Sequence, residues 1–157
     1  MTDTVSVVDA GARRVARRAL VHAPAAELFA IVADPHRHYE LDGSGTIRNL
    51  PVDGPHTLSV GAEFTVSMKQ HGFPYKIRSR VTAYEPDKLL EWQHPGGHHW
   101  RWEFAETEPG MTQVTETFDY STARAPRLLK LFGFDKQNAV GITNTLRRLQ
   151  AGFTSPG

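Results

Sequence analysis

Apolar and polar side chains alternate with a period of two through the middle of the chain. Five segments show this pattern, and short sequences containing Pro, Gly or Asp separate them: 62–70, 75–84, 89–94, 98–106 and 112–120. A period of two places successive side chains on opposite faces of a strand. The five segments therefore predict an antiparallel meander in which each strand buries one face.

Two more strands are predicted outside the meander. Residues 13–21 alternate, and residues 46–50 form a short candidate strand. They bring the predicted sheet to about seven strands. Residues 1–12 precede it and are expected to form a loose arm.

Helical spacing occurs in two places. Pro24 opens a short apolar helix that ends at Asp34-Pro35, because a residue before proline disfavours the helical region, and residues 36–41 predict one further turn. After Pro126, apolar residues recur at helical spacing through Gln150, which predicts a long amphipathic helix. Gly133 lies inside this helix and is expected to mark a kink or a close approach.

One sheet with few helices limits the possible architectures. A sheet of about seven strands must curl around the long helix to bury its apolar side. We therefore predict an α+β domain over residues 13–151, with one or two short helices after the first strand, a tail at 152–157, and a cavity between sheet and helix. The helical side chains expected to be buried are Leu128 or Leu131, Ile142, Leu146 and Leu149.

Composition excludes several function classes. The 157 residues include no cysteine, which rules out disulfides and thiolate chemistry, and the formal net charge of +1 gives no basis for a nucleic-acid partner. No phosphate-binding loop, dinucleotide fingerprint or serine-hydrolase elbow occurs. No apolar stretch approaches the ~20 residues of a spanning helix, and the first residues lack a signal-peptide pattern. We expect a cytoplasmic protein without stable membrane insertion, and the sequence leaves a homodimer open.

Several short motifs resemble those of a known superfamily when taken in order. They are residues 23–29 (APAAELF), 33–35 (ADP), 81–86 (VTAYEP), 89–92 (LLEW) and 110–117 (GMTQVTET). In this order they resemble the START/Bet v 1-like (SRPBCC) superfamily, in particular its bacterial polyketide cyclase/dehydrase and lipid-transport branch.

The resemblance covers residues 13–151 and implies a helix-grip fold. It implies a cavity for sterols, lipids, polyketides or plant-type aromatic ligands, with the terminal helix as a lid. It does not imply one activity, because a fold does not decide function. No aromatase-type catalytic set can be matched to positions in this chain.

Strand alternation selects the side chains that face the helix, including Ala83 and Trp100. The expected ligand contacts among the inward positions and on the helix are Tyr75, Ile77, Ser79, Trp92, His94, Trp102, Glu116, Phe118, Tyr120, Asn138 and Ile142. Each aromatic alone is a normal core residue. Together they favour a flat apolar ligand with a few polar contacts.

Glu116 is the main candidate for chemistry. Its neighbours Val114 and Phe118 place it on the inward face, where burial raises a carboxyl pKa. It is a candidate acid or base together with His94 or Tyr75. Alternatively it is a structural carboxylate satisfied by His94, Tyr75 or Asn138.

Histidines cluster around two short segments. His94, His98 and His99 flank a Pro-Gly-Gly turn, and His36 and His38 flank Arg37. A catalytic zinc site needs about three ligands held by defined elements, and adjacent residues on a strand point to opposite faces. We therefore expect solvated histidines at the turn, with no metal and no other cofactor.

Three functions remain open at this point. The first is a binding or carrier protein for an apolar small molecule, which is aromatic, polyketide-like or a lipid. The second is a cyclase or dehydratase that uses Glu116 with His94 or Tyr75 as acid and base. The third is a protein or membrane interaction module, which requires the apolar residues 128–134 to lie exposed outside the core.

Overall fold

The computed structural model describes residues 4–153, and its strands pair into one antiparallel sheet. The strands are β1 (Ser6–Val8), β2 (Arg14–Val21), β3 (Glu63–Gln70), β4 (Phe73–Glu85), β5 (Leu89–Gln93), β6 (His99–Glu108) and β7 (Met111–Asp119). Their order across the sheet is β1-β2-β7-β6-β5-β4-β3. The meander predicted from the alternation is confirmed as β3 to β7, and β7 then pairs with β2, which carries the edge strand β1 on its other side.

The predicted count of seven strands is right, but one predicted member is wrong. Residues 46–50 form a loop whose contact with the sheet is a single bridge between Ile47 and Met68. The Asp42 carboxylate accepts a hydrogen bond from the Ile47 backbone N–H at 3.1 Å, which holds this segment in loop geometry. The seventh strand is β1, which lies within the predicted arm and pairs with β2.

A β-bulge changes the face of the sheet on which the last side chains of β4 lie. The pairing register between β4 and β5 shifts between Val81 and Ala83. Beyond this shift Tyr84 packs on the ring of Phe29, with centroids 5.5 Å apart, and it joins the core. Ala83 was predicted to face inward by simple alternation, and the extra residue of the bulge is why that prediction is wrong.

Before the bulge the alternation of β4 holds. Ile77 and Ser79 lie on the inner face, and Ser79 is buried. The side chains predicted to lie on the outer face are all exposed: Lys76, Arg78, Arg80 and Thr82.

The helices are α1 (Ala25–Val32), α2 (His38–Leu41), α3 (Pro126–Leu131) and α4 (Phe134–Gly152), with a 3₁₀ turn at Pro35–Arg37. Pro24 precedes α1, and the Glu106 side chain accepts a hydrogen bond from the Ala25 backbone N–H at 2.7 Å. This contact fixes the start of α1 against β6. The long helix predicted after Pro126 is divided at Gly133, whose φ of +77° suits glycine and ends α3.

The division at Gly133 decides which leucines are buried. Ile142, Leu146 and Leu149 are at most 2% exposed, as their spacing predicted. Leu128 and Leu131 are 53% and 75% exposed, so the prediction that one of them is buried is wrong. The helical period cannot be continued across the break, because α3 has its own orientation.

Gly43 lets the loop after α2 lie directly on α4. A Cβ at this position would overlap the backbone of Asn144 and Thr145. The Gly43 N–H also donates a hydrogen bond to Thr145 Oγ1 at 2.9 Å. The loop and the helix are therefore fixed to each other backbone to backbone.

Gly43→Ala is expected to lower the free energy of unfolding by about 2 kcal/mol or more, because neither backbone can yield without disturbing the packing. Urea denaturation followed by tryptophan fluorescence measures this change. Gly152→Ala is the control, since a Cβ there meets no atom within 4 Å. Equal stability of the Gly43 variant and the wild type would show that the loop is not held in this way.

Candidate functional site

A cavity of about 270 Å³ lies between the inner face of the sheet and the first half of α4. Its wall contains most of the predicted ligand contacts: Tyr75, Ile77, Ser79, Trp92, His94, Glu116, Phe118, Asn138 and Ile142. Trp102 and Tyr120 are not on the wall, although both face inward and are buried. Trp102 stacks beside Phe104, and Tyr120 stacks beside Phe118, so both serve the core.

Other wall residues were not predicted as ligand contacts. They come from the α2 region, from β3 and from α3 and α4, and include His38, Asp42, Phe64, Leu129, Gly141 and Thr145. The periodicity of the sequence indicated some of these residues. Phe64 alternates with Thr65, and Gly141 and Thr145 follow Asn138 at helical spacing. No pattern of period two or 3.6 indicated the contribution of His38 or Asp42.

Aromatic rings from three adjacent strands form the floor of the cavity. Trp92 lies opposite Trp100, which lies opposite Phe118, and the last two ring centroids are 5.0 Å apart. His38 stacks on Trp92 with centroids 5.1 Å apart. A flat apolar molecule would find matching surfaces on these rings.

His38 is held as a neutral ring. Its Nε2 lies 2.8 Å from the Val32 carbonyl oxygen, and burial lowers the pKa of His38, with the Val32 contact opposing that shift. A neutral ring donating to Val32 fixes the stacking surface for Trp92 without placing a charge in the wall.

Glu116 lies on β7 opposite Trp102 of β6 and faces the cavity, as its neighbours predicted. The residue is 6% exposed, and its Oε1 atom has no hydrogen-bond partner among the described residues. The structural alternative, in which His94, Tyr75 or Asn138 satisfies the carboxylate, is therefore not formed at Oε1. Burial, with a smaller contribution from the nearby Asp42 charge, raises the pKa of Glu116 well above its usual value.

A second buried polar atom without a partner lies next to Glu116 in the sheet. It is Nε1 of Trp102, directly across from Glu116. Buried polar groups are nearly always hydrogen-bonded, and each exception calls for an explanation. Around Glu116 the fold thus leaves hydrogen-bonding capacity that the protein itself does not use.

Asp42 contributes the second carboxylate of the wall. Its Oδ1 accepts hydrogen bonds from the Ser44 N–H and hydroxyl, at 3.0 and 2.5 Å, and its Oδ2 accepts from Ile47. These bonds make Asp42 an anchor of the loop after α2. Its charge remains within range of Glu116.

The histidines of the Pro-Gly-Gly turn lie on both faces of the sheet, as strand alternation requires. His94 and His98 are on the cavity wall, with ring centroids 4.6 Å apart, whereas His99 points away and bonds Thr122. Burial lowers the pKa of His94 to about 3 and that of His98 to about 4, and a neighbouring imidazole adds to each shift. The prediction of solvated turn histidines is therefore wrong for His94 and His98, which are neutral at pH 7.

His94 and Glu116 lie at different ends of the cavity. The His94 N–H bonds the His98 carbonyl oxygen, and His99 pairs with Asp119, so His94 is in the row of Tyr120. Glu116 is four residues along β7 from that row and two strands away from His94. At ~3.4 Å per residue and ~4.8 Å per strand, the two backbones are roughly 16 Å apart. The two side chains predicted as an acid–base pair do not form one.

A different set of side chains could hold a metal ion. Ligand atoms of Asp34, His36 and His56 all lie within 4.8 Å of one another, away from the cavity wall. Existing contacts account for this cluster: Asp34 accepts from the His36 N–H, and His36 Nε2 lies 2.9 Å from the Gly54 carbonyl oxygen. The cavity histidines are not part of it.

Residues 4–153 contain no helix with the length and apolar character that a membrane span requires.

Comparison with known proteins gives consistent results for sequence and fold. A family model described as polyketide cyclase / dehydrase and lipid transport matches residues 12–153. The chain is 57% identical over 151 residues to the "Uncharacterized protein Rv0088" of Mycobacterium tuberculosis, covering 93% of this chain. It spans 66% of the length of that curated relative.

Solved structures with lower identity share the fold. Protein Ms6760 from Mycobacterium smegmatis has a TM-score of 0.66 at 21% identity, over 95% of this chain and 99% of its own. A protein from Arthrobacter aurescens has a TM-score of 0.69 at 16% identity, over 96% and 91%. The match of the family model over nearly the whole chain, together with this fold, shows that the chain belongs to the polyketide cyclase/dehydrase and lipid transport family of Bet v 1-like (SRPBCC) proteins.

Proposed function

We propose that the protein is a binding or carrier protein for a neutral, flat, apolar small molecule with a polar group that hydrogen-bonds Glu116. The observation that carries this proposal is the unpaired Oε1 of Glu116 in an aromatic-walled cavity. Cavities of a few hundred cubic ångströms with apolar walls and few polar groups are typical small-molecule sites.

The charges on the wall argue for a neutral ligand. The described wall residues include two acids, Asp42 and Glu116, and no lysine or arginine. A ligand carboxylate would be desolvated there without a cationic partner, which is strongly unfavourable. A carbonyl or hydroxyl group has no such penalty.

The state of Glu116 indicates which polar group fits. Because burial raises its pKa, the carboxyl group keeps its proton at pH values where an ordinary glutamate is ionised. A protonated carboxyl donates one hydrogen bond and accepts others. A ligand carbonyl or phenol oxygen near Glu116 would satisfy it.

The aromatic floor supports a planar ligand skeleton. Trp92, Trp100 and Phe118 present ring surfaces side by side across three strands. Offset stacking on such rings contributes about 0.5–1.5 kcal/mol per pair beyond area burial. Aromatic and polyketide-like molecules have matching flat surfaces, so we favour them over saturated lipids.

An enzyme of the cyclase or dehydratase type is a weaker proposal. An acid or base works best with a pKa near the working pH, and a His94 pKa of about 3 makes it a poor base. Among the described residues, no hydrogen bond orients Oε1 of Glu116. Glu116 remains the residue on which an acid–base reaction would depend.

The experiment is a set of naphthalene ligands that differ in charge. Quenching of tryptophan fluorescence at pH 7.5 measures the affinity of neutral 2-acetylnaphthalene, anionic 2-naphthoate and cationic 2-naphthylmethylamine. We expect the neutral compound to bind at least 10-fold more tightly than the anion, since the wall offers the anion no cation. Tightest binding by the anion or by the amine would overturn the neutral-ligand proposal.

Native mass spectrometry of protein purified from its own host then identifies the bound molecule. A neutral compound with fused or conjugated rings would support the proposal. A co-purifying fatty acid or phosphate ester would contradict it.

A further inference from the structure

The short helix α3 presents an apolar outer surface. Leu128 is 53% exposed, Leu131 is 75% exposed, and Phe132 at its end is 72% exposed. Leu129, between them in sequence, faces inward and contributes to the cavity wall. The six-residue helix α3 thus has one leucine on the cavity wall and two leucines exposed at the protein surface.

Basic residues surround this apolar surface. Arg124, Arg127, Lys130 and Lys136 are exposed, and none forms an ion pair with another residue in the described part of the chain. Asp135 is the single acidic residue between positions 120 and 140. Since the formal net charge of the whole chain is only +1, positive charge is concentrated here.

The sheet register places α3 at the end of the cavity nearest the Pro-Gly-Gly turn. Arg80 pairs with Gln93, so the first residues of β4 extend beyond β5 on the side of the Pro-Gly-Gly turn. The Arg124 N–H donates to the Gly96 carbonyl oxygen of that turn at 2.9 Å, which fixes the segment leading to α3 there. Phe73 starts β4 at this same end and is 74% exposed.

We propose that Leu128, Leu131 and Phe132, with their surrounding basic residues, form a surface that docks reversibly on an anionic lipid bilayer. Apolar side chains would enter the boundary between headgroups and acyl chains, and the lysines and arginines would contact anionic headgroups. Interfacial segments that bind membranes combine these two features. Docking would bring the end of the cavity that Leu129 lines to the membrane surface, so that an apolar ligand could pass there between bilayer and cavity.

The charges disfavour a second copy of the chain as the occupant of this surface. A symmetric dimer places the same patch against itself. The basic side chains of one copy would then face the equally basic patch of the other, and like charges at an interface are unfavourable. An anionic bilayer supplies the opposite charge as well as an apolar layer.

Vesicle flotation tests the docking surface. The wild type is expected to bind vesicles of phosphatidylcholine and phosphatidylglycerol (1:1) at least 10-fold more tightly than pure phosphatidylcholine vesicles, and to bind less in 0.5 M NaCl. Leu131→Ser/Phe132→Ser is expected to reduce binding to the mixed vesicles at least 10-fold. Both side chains are exposed, so the variant should keep the wild-type melting temperature, which circular dichroism checks.

Val7→Ser is the matched control, because Val7 is also 75% exposed but lies on the edge strand β1. Its vesicle binding should equal that of the wild type. Absence of wild-type binding to the anionic vesicles, or equal binding by the double variant, would overturn the proposal. A concentration-dependent dimer that the double variant abolishes would assign the surface to a second copy instead. Ligand binding in vesicle-free buffer is measured separately, so a failure here leaves the cavity proposal intact.

Discussion

Ser79→Phe is expected to reduce the affinity for 2-acetylnaphthalene by about 30-fold or more while the protein stays folded. Ser79 is 2% exposed and lies on the cavity wall, on the inner face of β4. A phenyl ring at this position would occupy part of the 270 Å³ that the ligand needs. A loss of about 2 kcal/mol in binding free energy corresponds to this change in affinity. Tryptophan quenching titrations measure it, and urea denaturation measures the stability of the variant.

Arg80→Phe is the matched control for this substitution. Arg80 follows Ser79 on the same strand, but its side chain is exposed on the outer face. The same phenyl ring is therefore added on the opposite side of the sheet, and binding should remain within about twofold of the wild type. Normal binding by Ser79→Phe would place the ligand outside this cavity.

The contrast between Ser79 and Arg80 shows what alternation alone predicts. A pattern of period two fixes which face of the sheet each side chain occupies, provided that the pairing has no irregularity. It placed Glu116 inward from Val114 and Phe118, and the structure agrees. At Ala83 the same rule fails, because bulge formation depends on how β4 meets β5 and leaves no clear mark in the sequence of β4 alone.

The terminal helix shows a similar limit. Helical spacing placed Ile142, Leu146 and Leu149 correctly, because all three belong to one uninterrupted helix. Leu128 and Leu131 precede Gly133, where a positive φ changes the chain direction. Spacing carries information only as far as the helix is continuous, so the orientation of α3 could not be predicted.

The surroundings of Glu116 required the three-dimensional structure. The sequence indicated that its carboxyl group faces inward, but not which groups would meet it. Asp42 reaches the cavity through a loop ordered by its own hydrogen bonds, which no periodic pattern describes. His94, chosen as a partner because it also faces inward, lies toward the other end of the sheet. The alternation within one strand predicts which face of the sheet a side chain occupies. The side chains that it contacts depend on the pairing register of several strands.

Glu116→Gln is expected to make the protein more stable than the wild type by an amount that grows as the pH rises above about 4.5. The folded state holds Glu116 with a raised pKa, and burial is the main cause. A raised folded-state pKa contributes stability that is fully present below the unfolded pKa and is lost as pH rises toward the folded pKa. The loss is about 1.4 kcal/mol for each pH unit in that window. Glutamine has no proton to lose, so it avoids this loss.

Urea denaturation of both proteins at pH 5, 7 and 9 measures the effect. The quantity of interest is the difference in unfolding free energy between variant and wild type, because the buried histidines titrate alike in both proteins and cancel. Glu108→Gln is the control, since Glu108 is exposed on the outer end of β6. Its difference from the wild type should stay nearly constant over this pH range.

The same variant separates a carrier from an enzyme. Glutamine keeps a hydrogen-bond donor and an acceptor at this position, so binding of 2-acetylnaphthalene should change by less than about 10-fold. If Glu116 transferred a proton in a reaction, turnover of the identified ligand would fall by roughly 100-fold or more while binding persisted. A pH-independent stability difference between Glu116→Gln and the wild type would mean that Glu116 is ionised and solvated in the folded protein. In that case neither the neutral-ligand contact nor an acid–base role for this residue could stand.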